Sequence, residues 1–181
     1  MSDKRSDHLE ALVGELKSAT APLRQTLNRL HAECRTLTDG EVASYIPELA
    51  RANPDWFGIS VVTVDGRSFD IGDCRQSFSI QSVSKPFVFG LALEQHGREA
   101  VLKRVGVEPT GEAFNSIVLD ERSNRPFNPM VNAGAIATAD LITGEDYPGR
   151  IKQLLAMFGR YCGRDVHVDN SVFMSERQTG H

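Results

Sequence analysis

Ser82-Val83-Ser84-Lys85 sets a hydroxyl three residues before an amine. On a helix that spacing puts both groups on one face. A lysine amine can strip the proton from a serine hydroxyl, which is otherwise a poor nucleophile. The lysine must then be partly neutral, so burial or a nearby cation has to lower its pKa. The chemistry this pair could do is nucleophilic attack and formation of a covalent serine intermediate. Alone the motif is weak, because serine and lysine are common surface residues.

The flanking residues supply the element such a pair needs. Phe78 to Gln81 reads as an extended, half-buried lead-in. Val83, Phe87, Val88, Leu91 and Ala92 then recur at helical spacing, and Gly97 is a natural stop. Pro86 lacks an N–H and is tolerated only near a helix start, so this helix cannot begin much before Ser82. That puts Ser82 at the positive end of the helix dipole, where a developing anion is stabilised.

Three other polar residues stand out by context. Tyr45 lies on an otherwise apolar helix face, Asn132 in an Ala/Gly-rich helix start, and Glu176 near the chain end. Each also has an ordinary reading: a packed tyrosine, a local cap, a solvated charge. Asp65 belongs to a turn. His8, His31, His96, His167 and His181 show no metal-ligand spacing. There is no G-x-S-x-G and no glycine-rich phosphate loop.

The remaining pattern is mixed. Residues 7–36 predict helix, with an Asp7-x-x-Glu10 capping box. Its two apolar stripes, Leu9 to Leu16 and Leu23 to Leu30, are separated by Pro22 into two helices. Thr38-Asp39-Gly40 predicts a turn, and Glu41 to Arg51 a short helix kinked at Pro47, with Val42, Tyr45, Ile46 and Leu49 on its apolar side. Phe57 to Val64 and Arg67 to Ile71 predict a hairpin, with Asp65-Gly66 as a type I′ turn. Arg98 to Val105 is a second short helix, and Gly106 to Asn128 is loop. Asn128-Pro129 reads as N-cap and first residue of a helix through Asn132 to Leu141. Arg150 to Arg160 is amphipathic, with Ile151, Leu154, Leu155 and Phe158 inward, and Asp169 caps a last helix.

Composition is that of an ordinary globular domain: 181 residues, 40% hydrophobic, 24% charged, net charge −4 with both signs interleaved. Nothing suggests a nucleic-acid or membrane surface. Cys34, Cys74 and Cys162 are scattered and odd in number, which points to a reducing compartment. No apolar signal segment follows Met1, and no run of ~18 apolar residues could span a bilayer.

Taken together, several stretches resemble the serine-dependent glutaminases of the Ser-x-x-Lys β-lactamase and penicillin-binding superfamily. They are Tyr45-Ile46-Pro47-Glu48-Leu49-Ala50, Val64-Asp65-Gly66, Phe78 to Lys85, Glu108-Pro109-Thr110-Gly111 with Phe114-Asn115, Asn128 to Ala135, and Ser175-Glu176-Arg177. They fall in family order from about residue 40 onward. The resemblance implies an α+β, β-lactamase/transpeptidase-like fold with an antiparallel sheet and a helical subdomain. Residues 1–38 would be a helical lead-in and residues 39–181 the N-terminal portion of the catalytic domain. It further implies hydrolysis of L-glutamine to L-glutamate and ammonia. Ser82 would be the nucleophile and Lys85 its proton acceptor. Tyr45, Ser82, Asn132 and Glu176 would bind substrate. The expected enzyme needs no cofactor or metal, is cytoplasmic, and is a homo-oligomer, dimer or tetramer.

The family domain is longer than the stretch that follows residue 40 here. After Ser175-Glu176-Arg177 the family continues with an asparagine, two tyrosines and a Lys-Ser-Gly-like segment, none of which precedes His181. The expectation is therefore a chain carrying the first part of the domain. Two other readings stay open at this point: a Ser-x-x-Lys hydrolase acting on β-lactams or D-Ala peptides, and an inactive fragment or interaction module.

Overall fold

A computed structural model describes residues 21–111, 113–115 and 117–179. They form two compact units: the residues up to Phe78 together with those from Asn170 on, and Ser79–Asp169.

In the first unit, α1 covers residues 21–34 and buries Leu27 from the second leucine stripe. The first stripe and the capping box lie outside the described residues. The chain turns at residues 35–36, where the Thr36 hydroxyl bonds the Glu33 carbonyl, and not at Thr38-Asp39-Gly40. The helix expected from Glu41 is also shorter: α2 is Pro47–Ala50. Pro47 starts this helix and does not kink it. Its ring drives Ile46 into extended backbone, φ −132 and ψ 147. Ile46 is buried there at 1% exposure, which explains the apolar spacing that mimicked a helix. The last helix, α6 (Asn170–Thr179), packs on α2.

The hairpin forms as expected. Strands β1 (Gly58–Val62) and β2 (Ser68–Gly72) pair antiparallel, Ile59 opposite Ile71 and Val61 opposite Phe69. These four residues share the covered face, with Phe69 3% exposed. On the other face the Ser60 hydroxyl donates to Asp70 at 2.6 Å. The turn is not type I′, because Asp65 does not take positive φ and only Gly66 does, at 83°. Val64-Asp65-Gly66 is a three-residue loop closed by Gly66 N–H to Thr63 O, 2.8 Å. Asp65 also accepts from the Thr63 hydroxyl and pairs with Arg67 at 2.8 Å. The α1 helix is tied to this hairpin region by the Arg24 guanidinium over Phe69 and by His31 stacked on Phe57.

In the second unit, a 3-10 turn (Gln81–Val83) runs straight into α3 (Ser84–Leu102). Pro86 therefore sits in the first α turn, where no N–H partner is missed. Gly97 breaks α3 at φ 74, which sets off the predicted second short helix. The break brings Val101 onto the same core as Leu91 and Ala92, with Ile142 and Met157. Phe87, Leu154 and Phe158 pack against them. Complete burial of each large side chain contributes roughly 1.5–3 kcal/mol.

Helix α4 (Asn132–Asp140) packs on α3. It starts three residues later than Asn128-Pro129 suggested, with Val131 as N-cap. Asn128 instead folds the preceding turn: its Oδ1 accepts from Met130 N–H at 2.8 Å and its amide donates to Glu108 O. The α4 end is held from α3, where the Gln95 side chain accepts Thr143 N–H and His96 donates to Leu141 O. Helix α5 (Tyr147–Cys162) is longer than predicted at both ends. Asp146 caps it through Gly149 N–H, and Gly163 stops it at φ 64.

Candidate active site

Ser82 and Lys85 straddle the join between the 3-10 turn and α3. Ser82 is exposed and Lys85 half-buried. The chain arrives here through Gln81, a residue with a side chain that nevertheless takes φ 46. The expected helix mouth is present, and the serine lies just outside the first α turn.

The Lys85 amine is held by α4 and the turn before it. Nζ donates to Asn132 Oδ1 at 2.7 Å and to Met130 O at 3.1 Å. Both acceptors are neutral, and among the described residues no carboxylate pairs with the amine. Desolvation by burial pushes its pKa below the ordinary lysine value. A neutral amine has two N–H bonds and one lone pair. With both N–H bonds spent on Asn132 and Met130, the lone pair is left to accept a proton.

Asn132 reaches Lys85 because its own backbone is fixed. Its N–H donates to Phe114 O at 2.8 Å, at the start of α4. Phe114 also lays its ring near the lysine, 5.8 Å from Nζ to the ring centre. Gly134 lets this part of α4 sit against the Asn128–Pro129 backbone. A Cβ at that position would lie 1.9 Å from Asn128 O.

Of the residues singled out in the sequence, the structure brings Lys85 and Asn132 together, with Ser82 on the same turn. Tyr45 and Glu176 belong to the other unit, Tyr45 two residues before α2 and Glu176 on α6, both exposed. The Met130 carbonyl and the Phe114 contacts had no sequence signal beyond their place in resemblance segments, since a backbone acceptor leaves no mark on residue type. Among the described residues, no group of three or more His, Cys, Asp or Glu side chains could hold a metal ion. Cys34, Cys74 and Cys162 are all free.

The family model described as glutaminase matches residues 40–181. The chain belongs to the glutaminase family. A glutaminase from Microcystis aeruginosa is 63% identical over 159 residues, covering 88% of this chain and 47% of the relative. Among solved structures, Mglu in its glutamate form matches with a TM-score of 0.81 at 40% identity, over 88% of this chain and 37% of that one. A probable glutaminase from Bacillus subtilis complexed with 6-diazo-5-oxo-L-norleucine matches with a TM-score of 0.76 at 33% identity, over 87% and 47%. The matching glutaminase structures have the β-lactamase-like fold, and this chain carries part of that α+β domain. It spans about half the length of the curated glutaminases it matches first.

Proposed function

We propose that this chain carries the nucleophile-bearing part of an enzyme that hydrolyses L-glutamine to L-glutamate and ammonia. The observation that supports it most is the Lys85 amine, held by two neutral acceptors three residues after Ser82, in a chain of the glutaminase family. Lys85 takes the Ser82 proton as the serine oxygen attacks the side-chain carboxamide. The Ser82 backbone N–H, at the mouth of α3, stabilises the oxyanion. The C–N bond breaks, the proton passes to the leaving nitrogen as ammonia, and water then frees glutamate from the serine ester. Asn132 and Tyr45 hold polar groups of the substrate, and Glu176 meets its α-ammonium. The reaction needs no cofactor.

Residues 39–181 are the N-terminal portion of the catalytic domain in this reading, and 1–38 its helical lead-in. The enzyme is a homo-oligomer in this reading, and it is cytoplasmic, a compartment that suits the three free cysteines. No helix among the described residues is long and apolar enough to cross a membrane.

The test uses the full-length protein that contains this chain. Ammonia release from glutamine should be lost in Ser82→Ala, with the thermal transition unchanged. The diazo ketone 6-diazo-5-oxo-L-norleucine, whose diazo carbon gains a proton and loses dinitrogen to an attacking oxygen, should label Ser82. Turnover by a folded Ser82→Ala protein, or label elsewhere, overturns the reading.

A further inference from the structure

Gln81 and Asn124 are the non-glycine residues at positive φ among those described, at 46° and 50°. Side chains disfavour that region, so the surroundings must hold Gln81 there. Its carbonyl oxygen accepts the Ser84 hydroxyl at 2.7 Å. The Ser84 backbone N–H also bonds to the Gln81 and Ser82 carbonyls. On the other side the Gln81 side-chain amide donates to Ser79 Oγ at 3.2 Å, and Val83 N–H closes on Ile80 O at 3.2 Å. The next residue after the strained one is Ser82. The peptide between Gln81 and Ser82 carries both the bonded carbonyl and the Ser82 N–H. Rotation of that peptide swings the Ser82 N–H, and relaxation of the Gln81 φ would shift the Ser82 Cα and its Oγ with it.

We propose that Ser84 is a positioning residue: its hydroxyl latches the Gln81 carbonyl, holds the left-handed turn, and so fixes the Ser82 N–H and Oγ for attack. The inference rests on the reading of Ser82 as nucleophile and adds a role for the motif's second serine. Serine hydroxyls often bond a carbonyl one turn back and then affect only the local helix. Here the carbonyl belongs to the strained residue that leads into the nucleophile. A small misplacement at that point costs on the order of 10–10² in rate.

The experiment compares two variants of nearly equal shape in the full-length protein. Ser84→Thr keeps the hydroxyl and Ser84→Val removes it. The readouts are the rate of Ser82 labelling by 6-diazo-5-oxo-L-norleucine, and kcat and KM for glutamine. Ser84→Val should lose about 10–10² in labelling rate and kcat with KM nearly unchanged, while Ser84→Thr stays near wild type. Gln81→Gly removes the resistance to positive φ. In that background the Ser84→Val loss should shrink to a few-fold. Ser84→Ala, compared in both backgrounds, gives the same test without β-branching. Equal rates for the Thr and Val variants, a loss in KM alone, or an undiminished loss beside Gln81→Gly would each overturn the latch. If the wild-type protein neither turns over glutamine nor takes the label, the functional reading fails first and the latch falls with it. Turnover and labelling that are normal in wild type and in Ser84→Val sink the latch alone.

Discussion

The Asn132 side-chain oxygen lies 2.7 Å from the Lys85 nitrogen, across 47 residues of sequence. The amide is neutral, so it orients the amine without fixing its charge. A carboxylate in the same place would hold the proton on the lysine. Asn132→Asp should therefore raise the Lys85 pKa, because the new carboxylate favours the charged amine. Activity that depends on neutral lysine appears as pH rises through that pKa. The rising limb of the acylation rate should move to higher pH in the variant, measured by single-turnover kinetics. An unmoved limb would mean that Lys85 does not titrate in the reaction.

Lys85 itself allows a second test. Burial favours the neutral amine, so its pKa is below the ordinary lysine value and the wild-type rising limb should lie below that value as well. Arginine stays protonated at any working pH. Lys85→Arg should then acylate slowly across the whole range, with no recovery at high pH. Normal acylation by this variant would remove Lys85 from the proton-acceptor role.

Glu176 is exposed on α6, and a carboxylate there suits the α-ammonium of an amino acid. Glu176→Gln should weaken glutamine binding by about 2–4 kcal/mol if the pair is desolvated in the complex. It should hardly affect an analogue that lacks the α-amino group. Calorimetry with both ligands separates the outcomes, and equal losses would assign Glu176 a structural task.

Gly134 leaves no room for a methyl group against Asn128 O. Gly134→Ala should cost on the order of 1–3 kcal/mol through backbone displacement, read as a lower thermal midpoint. Activity should fall further than stability alone accounts for, because Asn132 starts the same helix. A variant with the wild-type midpoint would show that the close approach relaxes at no cost.

The parts legible in the sequence were those written by local pattern. The β runs Phe57 to Val64 and Arg67 to Ile71 on either side of Asp65-Gly66 marked the hairpin, and Gly97 marked the break in α3. Two local patterns misled. The spacing of Val42, Tyr45, Ile46 and Leu49 looked helical, but Pro47 bars its predecessor from helical backbone. Asp65-Gly66 looked like a two-residue turn, yet Thr63 supplies a side-chain partner that favours the longer loop. At the site, serine, lysine and asparagine were legible as residue types within a family pattern. The bond between Lys85 and Asn132 was not, because it depends on how α4 packs on α3. Nor was the Gln81 conformation, which no residue type announces.

The close contact at Gly134 also bears on how this chain tolerates sequence change. A helix that meets a neighbouring backbone through hydrogen alone has no side chain there to shrink, swap or repack. Elsewhere in the core, a larger residue on one side can be balanced by a smaller one opposite. Here the opposite surface is a carbonyl oxygen, which cannot be made smaller by any substitution. Compensation would have to come from moving the Asn128–Pro129 turn, which also carries the chain to Met130 and so to one of the two Lys85 acceptors. Position 134 thus behaves like a fixed bearing: neighbouring parts can be exchanged around it only if its clearance stays the same.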